Sequence, residues 1–217
     1  MSLRTVAIPS LAGAALALGL CGCGRSSADD AISPRIEIPS SASPRDVAVL
    51  DVAGFGEVRV ELLNDLAPKT AAHFERLAES HYYDGTTFHR VVPGVLAQGG
   101  DPNTRDRDPR NDGAGGDEER VTDERPAVSH VRGVVSLANR GWPNSGGAQF
   151  FILAGDALHL DGNFAAFGRV TAGLDVVDRI AAAERDVYGR YGPIDRPLTN
   201  VVLRQVRIER AEPASLP

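Results

Sequence analysis

Apolar and polar residues alternate over Val47–Val52 and again over Glu57–Leu62, on either side of Gly54-Phe55-Gly56. That period of two predicts a half-buried antiparallel hairpin, and a folded domain beginning at Val47. The period then changes. Pro68 suits a first helical position, and Ala71, Phe74, Leu77 and Ala78 recur at helical spacing, so Lys69–Ser80 is expected as an amphipathic helix with His73 an ordinary member of it. Further on, Val91-Val92 and Val95-Leu96-Ala97 are short apolar runs broken by Pro93-Gly94 and bracketed by Arg90 and Gln98, which reads as strand, sharp bend, strand. Val134–Ala138, Gln149–Leu153 and Ala166–Val170 follow as strands, Leu174–Ala183 as a second helix and Val201–Glu209 as a closing strand. Many short strands with two helices predict a mainly β fold, closed into an antiparallel barrel.

The N-terminal pattern is different. Met1–Gly24 carries one cation, Arg4, then an apolar run from Val6 to Leu20, the form of a secretory signal. The run is shorter than the roughly 20 residues that span a bilayer. Leu20-Cys21-Gly22-Cys23 resembles a bacterial lipobox, and Cys23, preceded by the small Gly22, fits the lipidated position better than Cys21. A plain secreted protein with incidental cysteines is the competing reading. Residues 1–22 are thus expected as a signal, with the product lipid-anchored in the cell envelope and facing the periplasm or exterior. Residues 23–46, rich in Ser, Ala, Asp and Pro, are expected as a flexible tether in which Ile32, Ile36 and Ile38 are too scattered for a core. The domain covers 47–210 and a disordered tail 211–217.

Composition narrows the function. The chain has 217 residues and a formal net charge of -6, and Lys69 is its one lysine, so it carries no basic stripe for nucleic acid. Its two cysteines both lie in the signal region, which leaves the mature domain without a disulfide. Asp101–Pro126 reads as a long mixed-charge loop, a solvated lip beside the site. Its Asp106, Asp108 and Asp112 hint at calcium, but Arg110 occupies a position that needs an oxygen ligand. The Gly113–Gly116 run lacks the lysine of a phosphate loop. No metal or cofactor is implied, and neither Phe88–Asp101 nor the stretch Val134–Asn139 with Gln149–Leu153 contains a plausible nucleophile with its base.

Four ordered motifs, FHRVVPGVLAQGGDP, SLAN, GGAQFFIL and LDGNFAAFGRV, resemble the cyclophilins, a family of peptidyl-prolyl cis-trans isomerases. The resemblance runs from about Val47 to Arg210. It implies an eight-stranded antiparallel barrel with a helix over each open end, too narrow to hold a substrate, so that binding falls in an outside groove. It makes Arg90 the catalytic arginine and puts Leu96, Phe151 and Leu160 around the proline ring. Gln98, Ala138, Asn139 and Gln149 would hold the flanking backbone, and Phe88, Val95, His159 and Phe164 would complete the groove. His89, next to Arg90, would face the other way on a strand. Proline-containing polypeptides are the implied partners. Three positions depart from the family: Val95 where Phe is usual, His159 where many have Trp, and Phe164 where His or Tyr is common. Weak cyclosporin binding is therefore expected. A binding or chaperone-like module with little turnover remains the alternative to an enzyme.

Overall fold

The computed structural model describes residues 35–212. The expected signal, Cys23, Ile32 and residues 213–217 of the tail lie outside the described residues. β1 (Val47–Val52) and β2 (Gly56–Leu62) form the expected hairpin, with Leu50 opposite Val58. Helix α1 (Pro68–Glu79) follows and buries Ala71, Phe74, Leu77 and Ala78. Its N-terminus has no side-chain cap of its own; the Glu124 carboxylate instead accepts the Lys69 N–H at 3.0 Å and the Thr70 N–H at 2.7 Å. A negative group there satisfies orphan donors and interacts favourably with the positive end of the helix dipole.

The remaining strands are β3 (Arg90–Val92), β4 (Leu96–Gly99), β5 (Val134–Leu137), β6 (Phe150–Leu153) and β7 (Ala165–Ala172), followed by helix α2 (Leu174–Ala181). After it come β8 (Arg185–Asp186), β9 (Arg196–Pro197) and β10 (Leu203–Glu209). Eight of them form one antiparallel sheet in the order β10-β1-β2-β7-β5-β6-β4-β3. The closed barrel expected from the strand count is corrected here. The sheet is strongly curled but open, because β3 and β10 are its two edges and do not pair. Among the described residues the segment before β3 crosses the gap: Thr87 makes single bridges to Asp101 and Val202, and the Phe88 N–H donates to the Val201 carbonyl at 2.9 Å. β8 and β9 pair with each other as a separate hairpin that the sequence pattern did not predict.

Alternation divides the apolar residues into two clusters. The larger fills the inside of the curl: Val91, Ala97, Val135, Leu137, Phe150 and Ile152 meet α1 and α2 there. Phe74 is central to it, with ring centroids 5.0 Å from Tyr83, 5.4 Å from Phe150 and 5.0 Å from Phe167. Their neighbours in sequence point the other way, and Leu96, Val134, Phe151, Leu153 and Ala166 form a second cluster on the outer face. Ile38 packs against this outer cluster, so its isolation in the sequence did not keep it from apolar contact. Where described, the expected tether lies along the domain. The Ile36 N–H donates to Ser129 Oγ at 2.8 Å, and Arg45 pairs with both carboxylate oxygens of Asp65 at 2.8 Å.

Candidate active site

Residues directly opposite on adjacent strands share a face. Arg90 is opposite Gln98, Gln98 opposite Phe151, and Phe151 opposite Ser136, so these four form one row across β3, β4, β6 and β5 on the outer face. Leu96, two residues before Gln98, shares that face. The result is a shallow apolar strip with an arginine and an amide along its edge. Leu96 and Phe151 make its floor, and Ala138, Leu160 and Phe164 pack against it. Phe164 meets Phe151 edge-on at 5.4 Å. Leu160 and the exposed His159 sit on a 3-10 turn, Leu158–Leu160. Val95 stands at the bend after Gly94 and is 39% exposed, leaving that end of the strip open.

The polar groups are held unequally. Among the described residues the Arg90 guanidinium makes no hydrogen bond; its nearest anion is the Asp195 carboxylate at 3.8 Å, itself bonded to Arg185 at 2.9 Å. Arg90 therefore stands at the edge of the strip with its N–H donors unused in hydrogen bonds among the described residues. Gln98 donates to Gln149 Oε1 at 3.0 Å, while the Gln149 amide donates to the carbonyls of Gly113 and Gly115 at 3.0 and 2.9 Å. Arg140 reaches the same loop, donating to Gly113 O at 2.8 Å and to Asp117 at 3.0 Å. From beneath, the buried Asp101 carboxylate accepts N–H groups of Asn103, Gly113 and Gly115. A Cβ at Gly115 would come within 2.4 Å of Asp101 Oδ1, so only glycine fits there. The loop expected as a solvated lip is thus bolted to the sheet along its inner side, next to a small cavity of about 70 Å³ lined by Gln98, Arg140 and Gln149. Its acids do not converge on a cation: Asp108 pairs with Arg110, and Asp112 with Arg196.

The comparisons with known proteins agree with this architecture. The family model of cyclophilin type peptidyl-prolyl cis-trans isomerase/CLD matches residues 47–212. This chain belongs to the cyclophilin-type peptidyl-prolyl cis-trans isomerases. It is similar to the peptidyl-prolyl cis-trans isomerase CYP18-1 of Arabidopsis thaliana, with 39% identity over 70% of this chain and 90% of that one. A probable peptidyl-prolyl cis-trans isomerase of Brucella suis is 36% identical over 67% of this chain and 76% of its own length. Among solved structures, a cyclophilin type isomerase of Cryptosporidium parvum, crystallised in the presence of the dipeptide Ala-Pro, matches with a TM-score of 0.65 and 26% identity. That match covers 76% of this chain and 99% of that one.

Within this cyclophilin the expected groove residues do not all meet. Phe88 is corrected to the interior: it is 1% exposed, lies in the inner cluster and faces Phe150 at 6.2 Å. Gln149 and Asn139 have little capacity left for a ligand. The Gln149 bonds are those above, while Asn139 donates to Asn163 O at 3.0 Å and accepts the Gly141 N–H at 3.0 Å. Arg140, Asp101 and His130 were missed, because each acts on a partner distant in sequence. His130 donates from Nδ1 to Asp161 at 2.9 Å and accepts from Ser136 Oγ at 3.0 Å, the connectivity of a nucleophilic triad. Ser136 is 0% exposed, so no substrate reaches it, and the chain of bonds serves to pin the turn carrying Leu160 to the back of Phe151.

His89, which precedes the first residue of β3, is buried, and a Cβ at Gly113 would touch its ring at 3.4 Å. Among the described residues neither ring nitrogen has a hydrogen-bond partner. Burial pushes its pKa down from 6.5 to about 4, against the upward pull of the Asp101 carboxylate and the Gln149 amide. Burial also lowers the pKa of His73 and His130. The folded state therefore binds fewer protons than the unfolded chain between the two His89 values, so stability falls as pH drops from about 6.5 toward 4, by about 3 kcal/mol for His89 alone. Urea unfolding across this window should show that slope, and His89→Gln should make it shallower; an unchanged slope would mean that His89 is already charged in the fold.

Proposed function

We propose that this isomerase acts on Xaa-Pro bonds of polypeptides outside the cytoplasm, with Arg90 as the catalytic group. The observation that carries the assignment is the free Arg90 guanidinium beside the Leu96–Phe151 strip. Rotation about a prolyl bond breaks no σ bond but must lose amide resonance, against a barrier of about 18–20 kcal/mol. No base or nucleophile is needed. Apolar walls from Leu96, Phe151, Leu160 and Phe164 take the proline ring and disfavour the charge-separated planar amide. Arg90, permanently charged and forked, donates to the prolyl nitrogen as it becomes pyramidal. Gln98 and the backbone around Ala138 and Asn139 hold the flanking peptide, and Gln149 acts by fixing Gln98.

A binding module with little turnover is the competing reading, favoured by the open rim at Val95. Exchange of an Ala-Pro peptide, followed by NMR, separates the two. The chain should accelerate it, and Arg90→Ala should lower kcat/KM about 10²-fold or more, as for loss of one preorganised donor. Binding without acceleration would establish the module; equal activity in the variant would remove Arg90 from the mechanism.

The placement in the cell envelope rests on the sequence of residues 1–23. Mature protein should begin at a lipidated Cys23, since two or more acyl chains anchor stably. Mass spectrometry finding an unmodified N-terminus elsewhere, or an intact Met1, would contradict this.

The exposed His159 and the short Val95 give cyclosporin little apolar contact, so its binding should be weak. His159→Trp should tighten it by about ten- to a hundredfold, because burying a large side chain contributes about 1.5 to 3 kcal/mol. Calorimetry showing tight binding by the parent, or no gain in the variant, would place His159 off the drug's footprint.

A further inference from the structure

Exposed apolar side chains scattered singly over a surface need no explanation; a concentration of them does. Of the eight large apolar side chains exposed among the described residues, five belong to one hairpin: Val187, Tyr188, Tyr191, Ile194 and Leu198. Tyr188 and Tyr191 are 73% and 67% exposed.

The hairpin that carries them is firmly built. β8 pairs with β9, the Asp195 N–H donates to the Asp186 carbonyl at 2.8 Å, and the Leu198 N–H donates to the Glu184 carbonyl at 2.8 Å. Inside its turn the Asp186 carboxylate accepts the N–H of Tyr188 at 3.1 Å and of Tyr191 at 2.6 Å. Arg196 joins its base to Asp112 at 2.6 Å. An ordered backbone thus presents two tyrosines outward, and the hairpin itself would lose little chain entropy when a partner binds there.

Between this hairpin and the turn at 106–110 lies an open cleft of about 1040 Å³, lined among others by Arg107, Pro109, Arg190, Tyr191 and Pro193. Among the described residues Arg107 and Arg190 have no carboxylate partner, whereas the aspartates of the lining are engaged, Asp108 by Arg110 and Asp106 by the Asp108 N–H. Arg190 lies over the Tyr188 ring at 4.8 Å. The lining thus has three arginines against two aspartates, and two of its guanidiniums stand unpaired beside exposed tyrosines. It is also continuous with the groove. The Asp195 carbonyl accepts the Val91 N–H at 2.9 Å, and its carboxylate lies 3.8 Å from Arg90.

We propose that the 184–198 hairpin and the 106–110 turn form a docking surface for the stretch of substrate polypeptide flanking the proline, favouring acidic and aromatic side chains. The proposal rests on the reading of the Arg90 groove as the proline site. A segment running past Arg90 meets the tyrosines next, and the arginines select its charge. The protein then grips an unfolded chain over more residues than the prolyl strip alone covers.

Fluorescence anisotropy on the full chain tests this with three labelled peptides sharing a central Ala-Pro: a tetrapeptide, one extended by acidic and aromatic residues, and one extended by basic residues. The acidic peptide should bind about tenfold more tightly than the other two. Tyr188→Ala with Tyr191→Ala should abolish that gain and leave tetrapeptide exchange unchanged, and Arg107→Glu with Arg190→Glu should transfer the preference to the basic peptide. Equal affinities for the acidic peptide and the tetrapeptide, or a gain that survives both double variants, would overturn the proposal. So would self-association of the parent, seen by sedimentation, that the tyrosine variant loses, since the surface would then serve a second copy. Tyrosine-dependent binding of the acidic peptide without any prolyl exchange would retain the docking surface and refute the groove reading instead.

Discussion

The pairing register of β4, β5, β6 and β7 is the constraint on which the rest depends. Because side chains alternate, the register that places Phe150 and Ile152 inside the curl also sets Phe151 and Leu153 outside it. A slip of one residue would exchange the faces, emptying the core and dismantling the groove together. The apolar strip is the outer half of the same ladder that makes the core, and it inherits the core's rigidity. Arg90 and Gln98 keep fixed places along it because they face each other across β3 and β4.

Around that ladder, one long loop is drawn inward by charge and amide groups. Asp101 from below, and Gln149 and Arg140 from the sheet side, all bond to residues 113–117. Gln98 is oriented through Gln149, so the loop, the amide pair and the groove edge form one connected network. Fixed donors of this kind need no reorganisation as the substrate changes shape, which is what a reaction without covalent steps requires. One stability cost accompanies it: His89 is enclosed beneath the loop, and among the described residues neither ring nitrogen has a partner.

Much of this was legible in the sequence, and the exceptions have physical causes. Alternation in β1 and β2 and the helical spacing after Pro68 are local signals, and the structure follows them. Phe88, which the resemblance grouped with the groove, adjoins the groove residues in sequence but not in space. The strand starts only at Arg90, and before it the chain turns to bond with Val201, carrying Phe88 inward. Closure of the barrel could not be read from a count of strands, since it depends on whether β3 and β10 pair. β8 and β9 are two residues each, too short to show a period. The Glu124 cap and the His130–Asp161 bond join positions far apart in sequence and leave no local pattern.

The division of faces is tested most directly by methyl NMR of the protein titrated with an Ala-Pro peptide. The account predicts that the methyls of Leu96 and Leu160, on the outer strip, shift with peptide concentration, while those of Val91 and Ile152, next to them in the ladder but inside the curl, stay in place. Shifts at Val91 and Ile152 with Leu96 and Leu160 unmoved would contradict it.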